Sequence, residues 1–412
     1  MCIKNIENDK IYDSISDAIN SENENLNLQF QSDIDLNDSF KINKKSHISI
    51  DLNGFTLNMT DTININKCES LYLKNGNITC NSQSCISLSN QSDLTAESIK
   101  FNCKGSILSL NNKSKVYVKG CEMISESTDS DVISVSGKDT YFEIDSQSKI
   151  YSSYSTCLKI KNGAFSRIYG ELSKGPWKNK PCIVVTDENS NVVLQKTSYI
   201  SSSIDSAISI LRGGRCEICG TTIKKYGENN PAILLQNAKS ILDIYDADIS
   251  SEDGISVLCD KVKDGYTNHL NIFGGTFYSG IISNSSGNTV ISVCGGVFYE
   301  RPDDGFIKNG YCVENLGNDC YKVSIKNKPE IVIDSAENFN NCDKKLNESI
   351  VINKPVNIYK SPNKKQQIGR ILGAIHILGF EENSYGRFAY VKHKSSGIGT
   401  YYYGYIYLAD IN

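Results

Sequence analysis

Ala207-Ile-Ser-Ile210 stands 25 residues after Cys182-Ile-Val-Val185 and 25 before Ala232-Ile-Leu-Leu235. In each segment two inward apolar residues flank one outward residue, the period of two that lines one face of a strand. Outward from this core the segment recurs as Cys85-Ile-Ser-Leu88, Ile107-Leu-Ser-Leu110, Val132-Ile-Ser-Val135, Cys157-Leu-Lys-Ile160 and Gly254-Ile-Ser-Val257. The second residues, Ile86, Leu108, Ile133, Leu158, Ile183, Ile208, Ile233 and Ile255, are separated by 22, 25, 25, 25, 25, 25 and 22 residues. Such a register is an internal repeat, and it decides the fold.

A second strand recurs beside the first. It reads Ile48-Ser-Ile50, Leu71-Tyr-Leu73, Val116-Tyr-Val118, Phe142-Glu-Ile144, Cys216-Glu-Ile218, Leu242-Asp-Ile244, Leu270-Asn-Ile272 and Ile291-Ser-Val293. Between the two sit Asn90, Asn112, Gly137, Asn162-Gly163, Gly213-Gly214 and Asn237, residues that accept the left-handed backbone of a sharp corner. One coil of two or more strands cannot bury its own apolar face, so coils stack, each strand parallel to its copies above and below. The expected fold is all-β, a parallel β-helix of about 10–13 coils and roughly 50–60 Å at one strand spacing per coil. Ile, Leu, Val and Cys fill the interior, while Ser and Asn form hydrogen-bonded ladders outside and at corners.

The open end of a solenoid must be covered. Asp13-Ser-Ile-Ser-Asp-Ala-Ile-Asn20 offers Asp13 or Ser14 as an N-cap and Ile15, Ala18 and Ile19 as one apolar stripe, so a short amphipathic helix is expected over the first coil. The organisation reads as a cap over 1–25, the β-helix over 26–325, a linker over 326–348 and a second domain over 349–412.

Composition agrees with a polar-faced solenoid. The 412 residues include 43 Asn and 52 Ser, with 23 Tyr and 13 Phe to support a core. The net charge of −4 implies no nucleic-acid partner. No apolar run reaches the ~18–20 residues of a membrane-spanning helix. The first ten residues carry no apolar export core, so synthesis in a reducing cytosol is expected. The 15 cysteines then read as small apolar fillers. Cys216-Glu-Ile-Cys219 is a close pair, but positions i and i+3 of a strand face opposite sides, and no second pair follows at zinc spacing. No metal site and no cofactor are expected.

From Ser349 the composition shifts to many Tyr and no Cys, and residues 345–412 carry nine Lys/Arg against four Asp/Glu. Strands are expected at 356–359, 368–372, 375–380, 388–392 and 401–407, the pattern of a small antiparallel barrel.

The opening Ile11-Tyr-Asp-Ser-Ile-Ser-Asp-Ala-Ile19, followed by Ile48-Ser-Ile-Asp-Leu-Asn-Gly-Phe-Thr-Leu57, resembles right-handed, pectate-lyase-like β-helix proteins of bacteria and their phages. Ile272-Phe-Gly-Gly-Thr-Phe277, Gly310-Tyr-Cys-Val313 and Cys320-Tyr-Lys-Val323 are similar to the last coils of such surface and virion proteins. Val356-Asn-Ile-Tyr-Lys-Ser-Pro362, with Ile368-Gly-Arg-Ile371 and Gly404-Tyr-Ile406, resembles a bacterial SH3 domain. The resemblance covers nearly the whole chain and specifies fold more than function, since β-helices host lyases, hydrolases, adhesins and inert spikes. Lyases of this fold pair a calcium-binding carboxylate cluster with an arginine base, and its hydrolases carry Asn-x-Asp, Asp-Asp, Gly-His-Gly and Arg-x-Lys in order. Here the only Asp-Asp is Asp303-Asp304, and none of His47, His269, His376 and His393 stands in a Gly-His-Gly.

Stacking can still build a site that linear motifs miss. The outward residue of the second strand runs Glu143, Arg167, Val193, Glu217, Asp243, Asn271 over successive coils. Glu217 and Asp243 are then neighbours one strand apart, with Arg215 on the same face. They are the candidates for acid–base glycoside chemistry or cation binding, against a solvated charge ladder. Asp246 and Asp248 add carboxylates that strand alternation splits from Asp243. In the second domain, Tyr401, Tyr403 and Tyr405 beside Lys392 are candidates for stacking on sugar or binding peptide. The expectation is a non-enzymatic phage virion structural protein, such as a head fibre, decoration or tail appendage. Its expected partners are other virion proteins and host cell-wall or capsule glycan, and by analogy it forms a homotrimer. A depolymerase and a bacterial surface adhesin are the alternatives.

Overall fold

The computed structural model describes residues 3–21, 25–227, 230–252, 254–263, 265–283, 288–326, 349–359, 367–383, 386–394 and 401–407. They form two compact units, Met1–Ile325 and Lys326–Asn412.

The first unit is a right-handed parallel β-helix of about 11 turns. The 25-residue repeat segments form its first sheet, where Ile86, Leu108, Ile133, Leu158, Ile183, Ile208 and Ile233 pair rung on rung. Each of these side chains is fully buried. The expected next member was Ile255, but Val257 lies opposite Ile233, and Ile255 is shifted to Gly280 by a local irregularity. The two positions share strand parity, so a slip of two residues keeps apolar side chains inward and the alternation does not reveal it. The second sheet runs Leu26, Ile48, Leu71, Leu94, Val116, Phe142, Ser166, Val192, Cys216, Leu242, Leu270 and Ile291.

Each coil also holds a third strand, which the two-strand repeat leaves unread. Its inward column runs from Ile34 and Leu57 through Ile78, Phe101, Met123, Ile150, Leu172, Ile200, Ile223 and Ile249 to Phe277 and Phe298. On several coils the corner into it is a single left-handed residue, Asn75, Ser98, Gly120 or Gly220, and some strands run continuously through it. The three inward columns merge into one hydrophobic core. Where the first sheet turns into the second, Asn90, Asn112, Asn162 and Asn237 adopt φ between 54° and 72°, the corner role expected of them. Asn66, Asn90 and Asn112 also form a side-chain ladder, Asn90 Nδ2 donating to Asn66 Oδ1 at 2.7 Å and Asn112 Nδ2 to Asn90 Oδ1 at 3.4 Å.

Both ends of the parallel stack are closed. The helix Ile15–Asn20 forms with Ser14 as N-cap, its Oγ accepting from the Asp17 N–H at 2.9 Å, and buries Ile15, Ala18 and Ile19. It packs against the strands Ile3–Asn5, Ile11–Tyr12 and Phe40–Asp51. At the far end Tyr311–Gly317 and Cys320–Ile325 form an antiparallel hairpin, whose second strand pairs antiparallel with Gly296–Phe298. The expected last coils at 310–323 are therefore a hairpin cap, and parallel stacking of the third sheet ends at Phe298.

The second unit contains a closed antiparallel barrel of four strands, Ser349–Tyr359, Gln367–Asn383, Gly386–Lys394 and Tyr401–Tyr407. The separate strands expected at 368–372 and 375–380 are one strand. Its first half pairs with Ser349–Tyr359 and its second with Gly386–Lys394. A strand shared in this way carries the sheet round toward closure. Most of the expected linker, 327–348, lies outside the described residues.

Candidate functional site

The register places the charge ladder where the sequence put it. Glu143, Arg167, Val193, Glu217, Asp243 and Asn271 occupy successive rungs of the second sheet. Arg167 Nη1 lies 3.9 Å from Glu143 Oε2, a loose and half-exposed pair. Arg215 does more. Its Nε is 3.2 Å from Glu217 Oε1 on the same strand, and its Nη2 is 2.6 Å from Asp243 Oδ2 on the next coil. Asn271 Nδ2 donates to the other Asp243 oxygen at 2.8 Å.

Asp243 is 2% exposed, so a carboxylate there needs these donors. Both of its oxygens are engaged, and one guanidinium spans both acids. Asp246 and Asp248 stand apart from this set, exposed on either side of the buried Ala247. Cys216 points into the core and Cys219 sits at the half-buried corner, as the i, i+3 spacing implies.

A second arrangement was not legible in the sequence. Trp177 is 59% exposed and stacks on Tyr154, ring centroids 6.4 Å apart and planes at 26°. The loop that carries it is fixed from beneath. Lys174, 2% exposed, donates from Nζ to the carbonyl oxygens of Ser153 (3.1 Å), Gly175 (2.8 Å), Trp177 (2.7 Å) and Lys178 (3.3 Å). Burial pushes its ammonium pKa down, and the carbonyl cage offsets part of that cost. Lys225 repeats the device on a later coil, donating to the Tyr226 and Gly227 carbonyls. Tyr226 is exposed and its hydroxyl lies 3.1 Å from that of Tyr199. The same edge of the third sheet therefore presents rings on several coils, held on loops with buried anchors. A flat ring face with a polar rim suits carbohydrate. The signal that could have found it is the third-sheet column Ser152, Lys174, Ser202, Lys225, in which lysine replaces serine at an inward position.

A shallow cleft where the first sheet turns into the second is lined by Lys67, Lys113 and Lys138 with Asn90 and Asn112. Among the described residues one group of three metal-capable side chains lies together, the sulfurs of Cys80, Cys85 and Cys103. In the barrel, Tyr403 is opposite Lys392, Tyr401 opposite Lys394 and Tyr405 opposite Tyr390. The side chains of these candidates lie outside the described part of the structure. No family model, no curated protein and no solved structure matches this chain.

Proposed function

We propose that this chain is a non-enzymatic structural protein of a phage virion surface, a head fibre, decoration or tail appendage. In this reading the β-helix is a rigid scaffold, and its exposed rings engage glycan of the host cell wall or capsule. The observation that supports the non-enzymatic reading is the Arg215 bridge, whose Nη2 donates to the buried Asp243 and whose Nε lies 3.2 Å from Glu217. A general acid must hold a transferable proton within reach of the scissile bond, and Asp243 is buried with both oxygens bonded. Glycan engagement is supported by the stacked rings of Trp177 and Tyr154, on loops of successive coils that Lys174 ties together through the Ser153 and Trp177 carbonyls. The virion setting rests on the sequence resemblance alone. We read the C-terminal barrel as SH3-like and Tyr401, Tyr403, Tyr405 and Lys392 as its ligand-binding residues.

The test incubates the purified protein with host capsule and wall polysaccharides and follows new reducing ends and unsaturated uronates. Retention of the protein on insoluble polysaccharide is measured in parallel. Retention without turnover is expected. Turnover abolished by Glu217→Gln would make the protein a depolymerase.

A further inference from the structure

Cys80 and Cys103 end the strands Ile63–Cys80 and Asp93–Cys103 and lie opposite one another in the third sheet. Cys85 follows on Ser84–Ser89, where the chain has turned the corner into the first sheet. Their three sulfurs lie within 4.8 Å of one another, and none of the residues is more than 3% exposed. Space filling alone does not account for the group. Following the Cys80–Cys103 column along the rungs, the same position is Ser125, Ser152, Lys174, Ser202, Lys225 and Ser251. Residues preceding the first-sheet rungs, equivalent to Cys85, are Ile107, Val132, Cys157, Cys182, Ala207 and Ala232, and beside Cys157 and Cys182 the third-sheet column supplies Ser152 and Lys174 rather than sulfur. The fold thus tolerates serine in one column and alanine in the other, yet at this corner both columns supply sulfur.

One further feature points to a ligand. The Ser82 hydroxyl lies 3.2 Å from Cys80 Sγ, and Ser84 Oγ, two residues on, is buried with no hydrogen-bond partner.

We propose that Cys80, Cys85 and Cys103 form a thiolate site for a soft closed-shell divalent cation, zinc, with the Ser82 hydroxyl as the nearest fourth donor. Zinc bonds of ~2.3 Å to sulfur in a tetrahedron place ligand atoms about 3.8 Å apart, so the group needs only a modest contraction. Zn2+ displaces to solvent the proton of each coordinating thiol, and no redox step occurs. Three thiolates and Zn2+ together carry one net negative charge, and uptake strengthens as pH rises. The turn at 81–84 is the entry path.

The full chain, stripped of metal in a non-chelating reductant, is titrated with Zn2+ and, separately, with Cd2+. One equivalent per chain, a sulfur-to-cadmium charge-transfer absorption and a zinc-dependent rise in Tm are expected. Cys103→Ser and Cys85→Ala install residues that other coils already carry in the same columns, and each is expected to weaken uptake about a hundredfold or more while the chain stays folded. Should one of them fail to fold, the other carries the test. Cys219→Ser is expected to leave uptake unchanged. Absence of stoichiometric uptake, or uptake that survives both Cys103→Ser and Cys85→Ala, overturns the proposal. Preference for monovalent copper over zinc overturns the choice of metal.

Discussion

Arg215 of one coil reaches Asp243 of the next, Nη2 to Oδ2, at 2.6 Å. Two carboxylates one rung apart repel, and the guanidinium between Glu217 and Asp243 turns that repulsion into a bridge. Arg215→Met leaves Asp243 buried with Asn271 as its remaining side-chain donor. The expected loss is about 3 kcal/mol. It should be seen as a lower denaturant midpoint at unchanged slope. Glu217 is a quarter exposed, and Glu217→Gln should stay within about 0.5 kcal/mol of the parent. Equal destabilisation by both variants would contradict the bridge.

Ile183 and Ile208 are stacked rungs of the first sheet, each fully buried. Ile208→Asp places an unpaired carboxylate among apolar neighbours on both adjacent coils, at a cost of several kcal/mol. The solenoid is expected not to fold cooperatively, judged by circular dichroism and thermal melting. A soluble variant with a sharp melt near that of the parent would mean the register is wrong.

The constant 25-residue spacing made the first sheet legible, because each rung between Leu108 and Ile233 repeats without insertion. The count failed at Ile255, where Val257 takes the rung and strand parity hides the slip. In the second sheet, Ser166 interrupts the apolar column, so the inward repeat omits that rung although its outward Arg167 stands in the charge ladder. The third sheet escaped because on several coils its corner is a single left-handed residue, as at Ser98 and Gly120, and glycine pairs mark it only late, at 274–275 and 295–296. Of the candidate site, Glu217, Asp243 and Arg215 were placed correctly on one face, since strand parity and coil spacing suffice for that. What Arg215 does with its two partners depends on rotamers. Trp177, Lys174 and the three-cysteine corner depend on loops and on the unread sheet, which periodicity alone does not position.

Tyr72 donates its hydroxyl to Glu97 on the neighbouring coil, and that bond holds the phenol pKa up to about 12. A phenol raised above its unfolded value keeps its proton longer in the folded state. The stability it contributes is therefore present below about pH 10 and lost as pH rises toward 12. Tyr72→Phe should show a shallower alkaline fall in denaturant midpoint than the parent between those values. Identical alkaline profiles would exclude the linkage.

Trp177→Ala removes the most exposed ring of the anchored loop, while Lys174 keeps its carbonyl cage. Retention on host polysaccharide should fall by about tenfold or more, the scale of a lost aromatic anchor. The melting temperature should be nearly unchanged. Undiminished retention would move the glycan contact away from this edge.

The central claim is that the chain is part of a particle. The most direct measurement is the protein composition of phage particles purified from the source and washed free of soluble protein. A fixed copy number per capsid or tail is the expected result. Recovery of the chain only from soluble or secreted fractions, with none in the particles, would contradict the account.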